Sequence, residues 1–184
     1  MLITISGTPG SGKTTVAKLL CARLRLPHIY AGDLYRRAAA ERGISLAEFN
    51  RLSEQDHSID RDLDARMAEH ARAGNAILEG RLAAFIVQQE GVEALKVFLT
   101  ASAAVRAQRV GQREGSDWQQ VLEQNRVRQA SDAGRYREIY GFDLGDTSIY
   151  DVVLDSDHAT PDELAERVLA AVRQRYGAGA VPAA

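Results

Sequence analysis

The sequence predicts an α/β fold: a parallel, doubly wound sheet of five strands flanked by helices and opening on a phosphate-binding loop. Three observations predict it. Gly7-Thr8-Pro9-Gly10-Ser11-Gly12-Lys13-Thr14 has the spacing G-x-x-x-x-G-K-[ST] of a P-loop NTPase. The apolar run Met1–Ile5 precedes it as a strand, and Val16, Leu19, Leu20 and Leu24 follow at helical spacing. Further along, short apolar runs alternate with helical patterns. At this chain's own residue frequencies the motif arises by chance at a rate on the order of 0.002, before a flanking strand and helix are required.

Each element has its own warrant. Leu2–Ser6, His28–Ala31, Ala76–Glu79, Leu95–Thr100 and Asp151–Asp155 read as strands, and helices between parallel strands supply the crossovers. Three helices carry start signals of the capping-box type: Ser45 with Glu48, Ser116 with Gln119, and Thr160 with Pro161 and Glu163. Residues 32–74 look helical throughout, more than a minimal crossover needs, and 102–145 form a second long excursion. In a P-loop fold such excursions leave from the carboxyl ends of the strands, where ligands bind, so both are positioned to close over a nucleotide. Their simpler role is ordinary helical packing. The tail 177–184, rich in Gly and Ala, is expected to fray.

Composition narrows the function. A length of 184 residues fits one domain able to bury about 70% of its unfolded surface. The single Cys21 sits among apolar helical neighbours and is expected to act as a small hydrophobe. A first strand beginning at residue 2 leaves no room for a secretory signal, and no apolar stretch reaches membrane-spanning length, so a cytoplasmic protein is expected. A net charge of −2 argues against nucleic acid as a partner, so any phosphate affinity must be local. Nothing demands more than a monomer. GTPases and mechanical ATPases recede: the third strand ends in Glu79 rather than the usual Walker-B Asp, no Asn-Lys-x-Asp run reads guanine, and a mechanical ATPase of this length would lack its usual second motifs.

Phosphoryl transfer between phosphates needs positive charge at the acceptor phosphate and across the group in flight. Gly7, Thr8, Pro9, Gly10, Ser11, Gly12, Lys13, Thr14 and Thr15 are the ATP-binding candidates. Lys13, one of three lysines, would reach the β and γ phosphates, and the Thr14 hydroxyl would hold Mg²⁺. Arg36 follows the second strand and Arg81 the third, beside the P-loop edge, where planar guanidinium groups suit an acceptor phosphate. Arg106, Arg109 and Arg113, at i, i+3, i+7, share a helix face whose mutual repulsion a polyphosphate would reverse. Arg128, Asp132 and Arg135 also share a face, as they would in an ordinary salt-bridged helix. Asp33 is preferred over Glu79 for orienting waters around Mg²⁺. The four histidines have no ligand-like spacing and read as structural or surface residues.

Taken together, these blocks resemble the nucleoside monophosphate kinases, and most of all the short, archaeal-type cytidylate kinases. The resemblance runs from Leu2 to about Val172, through the P-loop, Ala31-Gly32-Asp33-Leu34-Tyr35-Arg36 and Leu78-Glu79-Gly80-Arg81-Leu82-Ala83. Arg135-Tyr136-Arg137-Glu138-Ile139-Tyr140-Gly141 and Ser148-Ile149-Tyr150-Asp151 are the runs by which it resembles that group in particular. It implies one kinase domain over 1–176, with a nucleoside monophosphate segment at about 33–74 and a lid at about 106–130. It also implies transfer of the ATP γ-phosphoryl group to CMP or dCMP with Mg²⁺. Arg36, Arg81, Asp132 and Arg135 then resemble acceptor-site residues, and Arg109 and Arg128 resemble lid arginines acting with Lys13 in catalysis. Gly134 stands where the related short enzymes carry Lys. Two other readings stay open. The Gly32–Arg36 block is also similar to the adenylate kinase pattern, and a nucleotide-dependent regulatory protein would keep the P-loop while leaving Arg36 and Arg81 unexplained.

Overall fold

A computed structural model describes residues 1–182. In chain order the elements are β1 (Leu2–Gly7), α1 (Lys13–Leu24), β2 (His28–Tyr30), α2 (Ala31–Glu41), α3 (Leu46–Gln55), α4 (Ser58–Ala73), β3 (Ala76–Glu79) and α5 (Ala83–Gln89). They continue as β4 (Leu95–Thr100), α6 (Ala103–Glu114), α7 (Trp118–Tyr140), β5 (Val152–Asp155) and α8 (Pro161–Tyr176). The strands form one parallel sheet in the order β2-β3-β1-β4-β5. β1 lies in the middle with later strands on both sides, so the loop that leaves it opens where the winding changes direction.

Alternation along β1 builds the two layers. Ile3 and Ile5 face a core with Val16, Leu20 and Leu24 of α1 and Leu164, Val168 and Leu169 of α8. Leu2, on the opposite face, joins Met67 and Ala71 of α4 and Phe85 and Ile86 of α5. The excursion α2–α4 has its own small core, in which Phe49 is fully buried with Ala38, Ala39 and Ile59. Burial of a phenylalanine contributes roughly 2–3 kcal/mol, which holds α3 to its neighbours without a strand beneath it.

The expected strands are present, with bounds shifted by at most one residue at an end. Ser45 and Thr160 cap α3 and α8, the latter with the full reciprocal box to Glu163. α7 departs from expectation: Asp117, not Ser116, is its cap and accepts from the Gln119 amide. The Ser116 N–H is already engaged with the Gly111 carbonyl at 3.0 Å, closing the end of α6. The second excursion is a helical hairpin, α6 against the 23-residue α7, whose far end crosses to α4 through Tyr140 and Asp64. In the tail, Ala178–Ala180 make a 3-10 turn, and Ala180 and Val181 pack against the first core. Residues 183–184 of the expected frayed tail lie outside the described residues.

Candidate active site

The loop from Gly7 to Gly12 turns at the carboxyl end of β1. Gly7 has φ +142°, and a Cβ there would meet the Leu99 carbonyl oxygen at 2.0 Å, so β1 and β4 can lie this close only with glycine. Gly10, at φ +81°, would drive a Cβ into the Arg106 carbonyl at 2.8 Å. α1 starts at Gly12 with no side-chain cap and no acidic residue in its first turn. Its leading N–H groups and the positive end of its dipole are left for an anion. The Thr8 and Ser11 hydroxyls are buried with no hydrogen-bond partner among the described residues. These uncommitted donors fit the phosphates of ATP.

Two carboxylates compete for the metal side. The Thr14 hydroxyl donates to Glu79 Oε1 at 2.6 Å, and His28 Nε2 lies 2.8 Å from Oε2. Glu79 is thus a buried carboxylate fixed at the end of β3, against the residue that would touch Mg²⁺. Asp33, by contrast, is exposed and pairs with Arg36 at 2.5 Å, one turn into α2. The preference for Asp33 does not fit this arrangement, because its carboxylate is turned to a neighbour on its own helix.

The positive side chains fall into three groups. Lys13 Nζ donates to the Thr8 carbonyl at 2.7 Å. Burial first, then the charges of Arg81, Arg128 and Arg106, push its pKa down to about 7, while Glu79 pulls the other way. Arg81 is largely buried, and burial followed by Arg128 lowers it to about 10. Three heads from α1, the turn after β3 and α7 therefore crowd one rim of the sheet, and such crowding relaxes when a polyanion arrives.

A buried network adjoins them. Arg81 pairs with Asp132, and Asp132 is 3.0 Å from Arg135 Nη2. Arg135 Nε in turn is 2.8 Å from Asp60, on α4. Asp60 and Asp132 are both buried. Alternating signs keep this chain of four neutral overall and hold the two guanidinium planes in place. Arg36 stays outside it, exposed and 5.1 Å from the Tyr30 ring centroid.

The arginines of α6 do not act as one face. Arg106 is buried, donating from Nε to the Ala101 carbonyl at 3.1 Å and from Nη1 to that of Pro9 at 3.2 Å, so it braces the P-loop from below. Arg109 donates to the Ser156 hydroxyl at 2.9 Å and to its carbonyl at 2.6 Å, and Arg113 pairs with Glu114 at the surface. The Ser156 hydroxyl donates to the Ser11 carbonyl at 3.0 Å, tying β5 to the loop. Sequence reasoning missed Asp60, Asp64 and Ser156, and treated His28 as structural. The one signal available was on α4, where Asp60, Asp64, Met67 and Ala71 fall on one helical stripe.

A phosphate loop after a central parallel strand, with basic side chains gathered at the same rim, defines a P-loop kinase. The chain belongs to the cytidylate kinase-like family, whose profile matches residues 2–158. Among curated proteins it is 42% identical over 179 residues to the cytidylate kinase of Methanopyrus kandleri, covering 94% of this chain and 93% of that one. It is 48% identical over 157 residues to that of Methanococcoides burtonii, covering 85% and 87%. Among solved structures, the shikimate kinase of Bacteroides thetaiotaomicron aligns with a TM-score of 0.61 at 15% identity, over 94% of this chain and 98% of that one. That likeness concerns the fold alone. No helix among the described residues is long and apolar enough to cross a membrane.

Proposed function

We propose that this chain transfers the γ-phosphoryl group of ATP to CMP and dCMP, releasing ADP and CDP or dCDP. The observation that carries this reading is the crowding of Lys13, Arg81 and Arg128 at one rim, next to a second, buried pair of arginine-bound carboxylates. A regulatory nucleotide switch needs the first cluster and has no use for the second. The relatives' cytidylate kinase activity supports cytidine rather than adenosine as acceptor.

In this reading an acceptor phosphate oxygen attacks the γ phosphorus as the bond to the β-phosphate oxygen breaks. The acceptor is already anionic at neutral pH, so no general base is required. The uncapped start of α1 and the Thr8 and Ser11 hydroxyls hold the donor phosphates, while Lys13 and Arg128 face the transferring group. Arg81 and Arg135 hold the acceptor phosphate, with Asp132 and Asp60 fixing their planes, and Arg36 swings in from the surface. Arg109 anchors α6 to Ser156 and from there supports the lid. Mg²⁺, when bound, would neutralise charge on the donor phosphates; Thr14 and Glu79 are the residues suited to hold it and its waters.

The deciding experiment measures ADP formation from Mg-ATP with CMP, dCMP, UMP, AMP and GMP in parallel. Cytidine nucleotides are expected to give the highest kcat/KM. An enzyme inert with both of them would end this reading, and a preference for AMP would move it to the adenylate class.

A further inference from the structure

Tyr30 is the last residue of β2 and lies in register with Glu79 at the end of β3, so it stands on the rim from which the segments carrying Arg36 and Arg81 depart. Its ring is well held. The His28 ring lies parallel to it, with 4° between the planes and 5.8 Å between the centroids, and His28 is itself fixed to the buried Glu79. The ring also rests on the first turn of α2. A Cβ at Gly32 would come within 2.6 Å of Tyr30 Cζ and 2.7 Å of its hydroxyl oxygen, so the ring could not keep this place beside any other residue. The Arg36 guanidinium carbon is 5.1 Å from the ring centroid, within cation–π range. The phenol is also near enough to Arg81 to act on its charge.

Arg36 is otherwise loosely held. Its ion-pair partner is Asp33, three residues earlier on the same helix, and the two side chains are 49% and 54% exposed. Exposed pairs of this kind contribute little. An arginine head loses much rotamer freedom when a phosphate fixes it, and a contact that fixes it beforehand reduces that loss. An aromatic face attracts a cation without neutralising it, so the charge stays available to an anion.

We propose that Tyr30 positions Arg36 for the acceptor: the ring guides the guanidinium along the rim, and Arg36 reaches the acceptor phosphate by giving up Asp33 while it keeps contact with the ring. The inference rests on the nucleoside monophosphate kinase reading given above. Tyr30 acts through Arg36 and does not touch the transferring group. The ring face does this, and the hydroxyl is dispensable.

The test measures kcat and KM for CMP and for ATP in Tyr30→Leu, Tyr30→Phe, Arg36→Ala and the double variant Tyr30→Leu/Arg36→Ala. Tyr30→Leu should raise KM for CMP about 3- to 10-fold, with kcat and KM for ATP within about twofold of wild type. Tyr30→Phe keeps the ring and should restore wild-type behaviour. In the Arg36→Ala background, Tyr30→Leu should add less than about twofold, because the group it positions is gone. A purely structural role would persist in that background. Tyr30→Leu indistinguishable from wild type overturns the inference, as does a loss that multiplies with that of Arg36→Ala, or a Tyr30→Phe enzyme as impaired as Tyr30→Leu. Should Tyr30→Leu fail to fold, phenylalanines bearing increasing numbers of ring fluorines at position 30 decide: they weaken the negative face with little change of shape, so KM for CMP should rise stepwise, and a flat series overturns the inference. In an enzyme that turns over CMP these failures leave the kinase reading standing. Wild-type enzyme inert toward every nucleoside monophosphate overturns both.

Discussion

The Thr14 hydroxyl donates to Glu79 Oε1 at 2.6 Å, joining the first turn of α1 to the last residue of β3. His28 holds the other oxygen from β2, at 2.8 Å. Three elements thereby fix a carboxylate that is 1% exposed. A group so held keeps its orientation, and that is the property a metal-orienting carboxylate needs.

In the proposed mechanism, Glu79 rather than Asp33 is the residue on which Mg²⁺ dependence is expected to turn. Glu79→Gln keeps an acceptor for Thr14 and removes the charge. The Mg²⁺ concentration for half-maximal rate is expected to rise about 10- to 100-fold, while nucleotide affinity measured in EDTA stays close to wild type. Asp33→Asn is expected to leave the Mg²⁺ titration within about twofold. A Glu79→Gln enzyme with an unaltered Mg²⁺ curve would remove Glu79 from the metal site.

Lys13 supplies a proton count. Its amine is held at about 7 by burial and by Arg81, Arg128 and Arg106, so at pH 8 it is mostly neutral in the free enzyme. A triphosphate beside it favours the ammonium form, so binding at pH 8 should take up about one proton. Calorimetric titration with Mg-ATP in buffers of low and high ionisation enthalpy measures this as a slope. Lys13→Arg, charged throughout, should lose the slope. Equal enthalpies in both buffers for the wild type would contradict the uptake.

In the proposed mechanism Arg81 and Asp132 serve the acceptor and not the donor, and variants at the two positions test that division. Arg81→Ala should raise KM for CMP about 10- to 100-fold and change KM for ATP by about twofold or less. Asp132→Ala leaves Arg81 and Arg135 near Arg128 with Asp60 as the one remaining carboxylate of the network. Loss of one member of a buried ion pair costs about 3 kcal/mol or more, so its melting temperature should fall, and sulfate should restore it by occupying the vacated face. If sulfate stabilises wild type and variant equally, the two arginines do not form an anion site.

The fold was legible because each strand is a short apolar run ended by a turn residue, a signal that is local in the chain. Thr160 and Glu163 carry the same kind of local information, and their capping box forms as the spacing requires. Ser116 shows the limit. Ser116 and Asp117 both lie ahead of Gln119, and what assigns the cap is the Ser116 amide already bonded to Gly111 in the preceding helix. The α6 arginines show it again: their spacing is helical, but each long side chain takes the nearest acceptor, and Pro9 and Ser156 come from distant parts of the chain. Glu79 was visible as a candidate, but the hydroxyl that fixes it lies 65 residues away. Asp64 was visible only as one of two acidic positions, with Asp60, on the stripe of α4 that continues through Met67 and Ala71.

That carboxyl also leaves a signature in stability. Asp64 titrates at about 7 in the folded protein because burial disfavours its charge, against about 3.9 when unfolded. Asp60, Tyr136, Tyr140 and Arg135 are the charged and titratable groups around it. Between these two values the folded state binds more protons than the unfolded state, so stability falls as pH rises through the window and levels off above it. Raising the pH from 5 to 8 should therefore cost the wild type about 2 kcal/mol at this site, or several degrees of melting temperature. Asp64→Asn has no charge to bury. Its melting temperature relative to wild type should climb over the same pH range, with the other titrating groups cancelling in the difference. A difference that stays flat from pH 5 to 8 would mean that the carboxyl ionises freely in the folded protein, with water reaching its oxygens.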